Sequence, residues 1–248
     1  MKSLISALML GTAVLGAPAP GAAEPIRNIV LVHGAFADES SWDKVAVILT
    51  NRGYTVTQVA NPLTSLADDV AATNAALDAQ DGPAVLVGHS WAGVVIGEAG
   101  NHANVASLGY VSAFAPDRGE SLTALLSAGE PSEGVKAIRP NDQGGLVFDQ
   151  AAFPALFAGD LPVAEAEAMA AAQLPSNPAN FEAVADVAAW HDKPSFYVVT
   201  TADRVVPAAA QHFFAGRIGA AITEIDASHA GLVSRPEAVA DAIEAATR

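Results

Sequence analysis

Short apolar runs recur along the chain, each closed by turn residues and followed by a helical pattern. Ile29-Val30-Leu31-Val32 is apolar throughout, as expected of a strand covered on both faces, and His33-Gly34 ends it. Trp42, Val45, Ile48 and Leu49 fall on one helical face, with Gly53 as the C-terminal stop. Tyr54 to Val59 reads as the next strand. Ser65-Leu66-Ala67-Asp68 has the spacing of a capping box and opens a helix running to about Ala79. Val85 to Gly88 and Val105 to Phe114 read as two further strands. Near the C-terminus the pattern resumes with Ser195 to Thr200, a strand ending in Thr201-Ala202-Asp203. A helix follows Pro207, and Ala221 to Ile225 is the last strand. Ser234-Arg235-Pro236-Glu237 then opens the final helix, with proline in its first turn and Glu237 placed to close a capping box. Strands alternating with helices imply parallel pairing: an α/β fold built on a mostly parallel, doubly wound sheet.

The alternation breaks between Pro116 and Lys193. Six prolines punctuate this stretch, and Phe153 to Phe157 and Val163 to Ala172 read as short helical patches. Phe148, Phe153, Leu156, Phe157, Phe181, Val184 and Trp190 give it too much apolar surface for a disordered linker. The expectation is one domain over residues 24–248 with a helical cap inserted at about 117–193.

Residues 1–23 have the pattern of a secretory signal peptide. Lys2 supplies the positive end, Leu4 to Leu15 an uncharged apolar stretch, and Ala17 to Ala23 the small residues for cleavage after Ala23. The apolar stretch is short for a membrane span. The sequence therefore predicts an exported protein, periplasmic or secreted, with no stable membrane association after cleavage. The chain has no cysteine, which excludes disulfides and thiol chemistry. A formal net charge of -15 disfavours nucleic acid and anionic membrane surfaces as partners.

Candidate chemistry centres on Gly88-His89-Ser90-Trp91-Ala92-Gly93. This run lies between a strand and Val94 to Ala99, which can open a helix. Strand, sharp turn with serine at its apex, then helix is the context of a nucleophile elbow. The turn needs small residues around the serine. Gly88 fills the first slot, and Ala92 stands where G-x-S-x-G has its second glycine. A serine hydroxyl is a weak nucleophile and needs a base, and the base needs an orienting carboxylate. In such folds these groups gather at the carboxyl ends of the strands, which selects Asp203 and, in Asp226 to Gly231, His229. Asp117, which follows the strand ending at Phe114, competes with Asp203 for the acid's role. His33 is expected to brace the neighbouring loop and His89 to point away from the serine. His102, His191 and His212 lie on or beside helices. Oxyanion donors are expected from the backbone N–H of Trp91 and from Ala35 or Phe36. No H-E-x-x-H occurs, and position 90 breaks a G-x-G-x-x-G fingerprint.

Taken together, His33-Gly34-Ala35-Phe36, Ser41-Trp42, Gly88 to Gly93, Asp203 and Ser228-His229 resemble the α/β-hydrolase superfamily. The resemblance covers the chain from about Asn28 to the last helix. It is most similar to the small bacterial esterase-like branch related to plant methylesterases and hydroxynitrile lyases. Ala92 departs from the glycine common in that family, without removing a catalytic group. The resemblance implies an α/β-hydrolase fold and a Ser90–His229–Asp203 triad needing no metal or organic cofactor. It also implies a small, rather apolar carboxylic ester as substrate, an acyl-enzyme on Ser90, and Phe36, Trp91 and Phe114 around the pocket. Two other readings stay open: a hydroxynitrile-lyase-like carbon–carbon lyase, and a non-catalytic small-molecule binding module. Serine at position 90 disfavours the dehalogenase and epoxide hydrolase branches, which need a carboxylate nucleophile.

Overall fold

The computed structural model describes residues 26–247, so the signal-peptide reading of residues 1–23 lies outside the described residues. Six parallel strands form the central sheet: β1 (Asn28–Val32), β2 (Thr55–Val59), β3 (Ala84–His89), β4 (Val105–Val111), β7 (Ser195–Thr200) and β8 (Ala221–Ile225). The hairpin β5 (Ile138–Pro140) and β6 (Leu146–Phe148) stands apart from it. Sheet order is β2-β1-β3-β4-β7-β8. The helices are α1 (Asp43–Asn51), α2 (Leu66–Asp78), α3 (Ala92–Ala99), α4 (Leu122–Leu126), α5 (Phe153–Leu156), α6 (Val163–Ala172), α7 (Ala179–Glu182), α8 (Ala208–Arg217), α9 (Gly231–Ser234) and α10 (Pro236–Ala245).

The continuous apolar runs follow from coverage on both sheet faces. Along β1, Val30 and Val32 join one buried cluster while Ile29 and Leu31 join the other. The same division separates Leu86 from Val85 and Val87 in β3, and Tyr197 and Val199 from Phe196 and Val198 in β7. Val45 and Leu49 of α1 and Val239 and Ile243 of α10 cover the second face. Each such side chain, wholly removed from water, contributes roughly 1.5–3 kcal/mol.

From β1 the chain crosses outward to edge strand β2, then returns to place β3 on the other side of β1. That reversal opens a crevice at the carboxyl ends of β1 and β3. The loop after β1 and the turn after β3 meet there.

Three local expectations are corrected. Strand β4 ends at Val111 rather than Phe114, because Ser112 adopts φ 48° and turns the chain, with its hydroxyl on Thr200 Oγ1 at 2.8 Å. The segment between β4 and β7 carries the β5–β6 hairpin as well as helices α4 to α7. Helix α10 does begin at Pro236, but no side chain caps it: Ser234 Oγ bonds to Asp160 instead. Half of the α2 capping box forms: Ser65 Oγ accepts the Asp68 N–H at 3.0 Å, while the Asp68 carboxylate accepts the hydroxyls of Ser65 and Thr64 instead of the Ser65 backbone N–H.

Candidate active site

Ser90 sits between β3 and α3 at φ 54°, a left-handed conformation that is rare for a residue with a side chain and typical of strained functional turns. Close packing holds it there. A Cβ on Gly88 would stand 2.6 Å from the Ala92 carbonyl oxygen, and one on Gly93 would stand 1.9 Å from that of Phe114. The Ser90 carbonyl accepts N–H groups from Gly93 and Phe114, which locks the turn to the chain beyond β4. Ala92 is fully buried as the first residue of α3.

His229 follows β8 and is fully buried. Its Nε2 lies 2.9 Å from Ser90 Oγ, and its Nδ1 lies 2.7 Å from Asp203 Oδ2. A carboxylate only accepts, so Nδ1 carries the ring proton and Nε2 offers its lone pair to the serine hydroxyl. The three residues that sequence reasoning singled out are thus joined in one chain of hydrogen bonds.

Asp203 is held from every side. Oδ1 accepts the backbone N–H groups of Val205 and Val206 at 2.7 and 2.9 Å, and Oδ2 receives Gln211 Nε2 at 3.0 Å and Thr200 Oγ1 at 3.1 Å. Sequence reasoning missed Gln211. It is a buried polar residue sharing the inner face of α8 with Phe214 and Ala215, and that spacing was the available signal. Asp117, the alternative acid, lies on the surface and bonds to exposed His191 at 2.9 Å. The His191 hydrogen bond holds its carboxyl below the ordinary value. His102 and His212 also pair with surface carboxylates, Asp78 and Glu224.

The loop Gly34-Ala35-Phe36 packs directly on the elbow: a Cβ on Gly34 would come within 2.9 Å of Ser90 Cβ. Phe36 itself has φ 62°. His33 braces this loop as expected. Its Nε2 accepts the Asn61 N–H at 3.0 Å, so Nδ1 donates to the Gly34 carbonyl at 2.9 Å. Burial pushes the His33 imidazole below its ordinary value and keeps it neutral. His89 lies beneath His229, ring centroids 4.7 Å apart, with Nε2 on the His229 carbonyl at 2.9 Å. Burial, then the neighbouring His229, pushes it well below its ordinary value. The expectation that His89 turns from the serine leaves out this second contact, which supports the base from below.

Of the expected pocket residues, Phe36 lines a cavity of about 340 Å³ with Phe153, Met169 and Val233. Phe114 lines another of about 380 Å³ with Leu125, Val205, Val206 and Phe214. Ser90, His229 and the Trp91 side chain line neither cavity. The Trp91 ring is buried and its Nε1 donates to Asp69, a correction to its expected place in the pocket. Its backbone N–H stays beside Ser90 as a candidate donor. Among the described residues, no group of three or more histidines and carboxylates is arranged to hold a metal ion, and no helix is long and apolar enough to cross a membrane.

Hydroxyl, imidazole and carboxylate in this order can generate a nucleophile and return its proton to a leaving group. Known proteins share the scaffold. A pyrethroid hydrolase from Sphingobium wenxiniae is 30% identical over 253 residues, spanning 88% of this chain and 86% of that protein. The solved pyrethroid hydrolase from Sphingobium faniae JZ-2 superposes with a TM-score of 0.76 at 25% identity, over 90% of this chain and 97% of that one. Polyneuridine aldehyde esterase, 18% identical, shares the fold with a TM-score of 0.77 over 90% of this chain and all of its own. The model of the alpha/beta hydrolase family matches residues 29–242, from β1 into α10, and the chain belongs to that family.

Proposed function

We propose that the protein is a serine hydrolase of small, rather apolar carboxylic esters. The observation that carries this reading is the buried Ser90–His229–Asp203 hydrogen-bond chain beyond the carboxyl ends of β3, β8 and β7. His229 takes the Ser90 proton as Oγ attacks the ester carbonyl. Asp203 keeps the imidazole in the required tautomer and stabilises the imidazolium. The tetrahedral oxyanion forms beside the Trp91 N–H and the Gly34–Phe36 loop, where each backbone donor is worth about a hundred- to a thousandfold in rate. His229 then protonates the departing alcohol, leaving an acyl group on Ser90. Water, deprotonated by His229, releases the acid and restores the hydroxyl. Likeness to a pyrethroid hydrolase supports an ester as substrate, and Phe36 in the loop that packs on Ser90 supports an apolar one. The N-terminal pattern supports export to the periplasm or medium, with a mature chain starting at Glu24.

A fluorophosphonate probe tests the nucleophile. Ser90 is labelled in the wild-type protein and p-nitrophenyl esters are cleaved; Ser90→Ala abolishes both while the protein stays folded. A folded wild-type protein with no labelling at Ser90 would favour the binding-module reading.

A further inference from the structure

The turn carrying His229 is gripped from the inserted segment as well as from the sheet. Asp160 lies between α5 and α6, far from the sheet in sequence. One of its carboxylate oxygens receives the hydroxyl of Ser228 at 2.5 Å and the other receives that of Ser234 at 2.6 Å. These serines stand on either side of His229. Ser228 Oγ also accepts the Ala230 N–H at 3.3 Å, so it is committed both as donor and as acceptor. Three residues before Asp160, the Phe157 carbonyl accepts the Ala230 N–H at 3.0 Å. The Phe157 ring meets the His229 ring edge-on, centroids 4.7 Å apart, and stacks on Phe153 at 4.4 Å. Burial pushes the Asp160 carboxyl up, but the hydroxyls of Ser228 and Ser234 outweigh it and hold the group below its ordinary value. The carboxylate is therefore charged at neutral pH. Ser234 is the residue diverted from the expected capping box, and α10 begins without a side-chain cap.

We infer that Asp160 is a positioning residue for His229: by receiving the hydroxyls on both sides of the histidine turn, it fixes the general base from the inserted segment. The same segment lines the cavity beside Phe36 through Phe153 and Met169. A shift of that segment moves Nε2 relative to Ser90 Oγ. Misplacement by a fraction of an ångström to an ångström costs about ten- to a hundredfold in rate.

The kinetic arm rests on the esterase reading; a spectroscopic arm does not. The proton between His229 Nδ1 and Asp203 should give a far-downfield NMR resonance in the wild-type protein. Asp160→Ala is expected to lower kcat at least tenfold with KM within twofold, and to shift or broaden that resonance well below the melting temperature. Asp160→Asn should recover most of both, because its amide can accept from Ser228 and donate to Ser234. Wild-type kcat and an unmoved resonance in folded Asp160→Ala would overturn the inference. So would equal losses in Asp160→Asn, which would assign the effect to charge, or a change confined to KM, which would make Asp160 a binding residue. If Asp160→Ala does not fold, Ser234→Ala removes one of the two hydroxyls and is judged by the same two readouts. If the wild-type protein neither cleaves esters nor labels at Ser90, the esterase reading fails, and the resonance still decides the role of Asp160.

Discussion

The indole Nε1 of Trp91 donates to the buried carboxylate of Asp69 at 2.9 Å. The other Asp69 oxygen accepts the N–H of Leu63, itself held at φ 57°, at 2.8 Å. The residue after the elbow serine is thus anchored to the first turn of α2, and with it the backbone N–H proposed to meet the oxyanion. Burial pushes the Asp69 carboxyl above its ordinary value even though both hydrogen bonds oppose this. Removing one partner leaves a desolvated group unpaired. Trp91→Phe should cost about 1–3 kcal/mol in stability. Asp69→Asn should cost a similar amount, because an amide nitrogen must then face one of two N–H donors. The double variant should lose less than the sum, since the new amide can turn its nitrogen toward the ring that no longer donates. Urea unfolding of all four proteins measures the coupling, and strictly additive losses would show that the bond is inconsequential.

Asp203 and Asp117 competed for one role on sequence grounds, and their environments now make opposite predictions. An asparagine at 203 fits in neither orientation: one puts its nitrogen against the Val205 and Val206 N–H groups, the other against His229 Nδ1 and Gln211. Asp203→Asn should lower kcat by roughly 10⁴-fold, through the wrong imidazole tautomer, with KM little changed. Asp117→Asn breaks only an exposed pair with His191 and should keep kcat within about twofold. Steady-state kinetics on both variants decide. A crippled Asp117→Asn beside a mild Asp203→Asn would break the proposed mechanism.

The central strands were legible because they are covered on both faces, whereas edge strand β2 is half-buried and edge strand β8 is exposed except at Ile225. Unbroken apolar runs such as Ile29–Val32 and Val85–Val87 have no other stable use at that length, and β8 was read residue for residue as Ala221–Ile225. The order serine, acid, histidine was legible because each residue ends or follows a strand. Other features depend on partners distant in sequence. The β5–β6 strands are three residues each and are tied to Gln173 and Ser176, about 25 residues onward, so no local pattern announces them. Asp69 reads as an ordinary acidic residue in a first helical turn until Trp91 arrives from another element. Ser234 has the spacing of a cap but serves Asp160 instead, a preference that only the insertion's position reveals.

Gly93 offers a strict test of the elbow. A Cβ there would lie 1.9 Å from the Phe114 carbonyl oxygen, which is backbone and cannot swing aside. Retreat of that segment would break the Phe114 N–H bond to the Ser90 carbonyl. Gly93→Ala should therefore cost roughly 3 kcal/mol or prevent folding. Ala92→Gly, which installs the glycine of the common elbow pattern, should cost about 2 kcal/mol, roughly 1 in helix preference and the rest in one buried methyl, with kcat retained. Thermal melts compare the two, and a Gly93→Ala protein melting with the wild type would contradict this packing.

The buried histidines set how stability responds to acid. His33 and His89 both lie below the ordinary value of 6.5 in the folded protein, His89 far below it. Between that depressed value and 6.5 the unfolded chain binds more protons than the folded one. Stability therefore rises with pH in this window. The contribution is complete above 6.5 and is lost as pH falls toward the folded values. Asp69 acts in the opposite sense. Its folded value is raised above 3.8, so its contribution is greatest at low pH and fades as pH rises through the folded value. The histidine effect should dominate from pH 7.5 to 5.5, because two rings contribute and both begin to titrate in the unfolded chain there. A tenfold preference of the fold for the neutral ring corresponds to about 1.4 kcal/mol. His89→Gln places an amide N–H near the position of Nε2, where it can donate to the His229 carbonyl, but cannot titrate. Its fall in urea midpoint from pH 7.5 to 5.5 should be clearly smaller than that of the wild type. Equal falls in the two proteins would mean that His89 is not held neutral beneath His229.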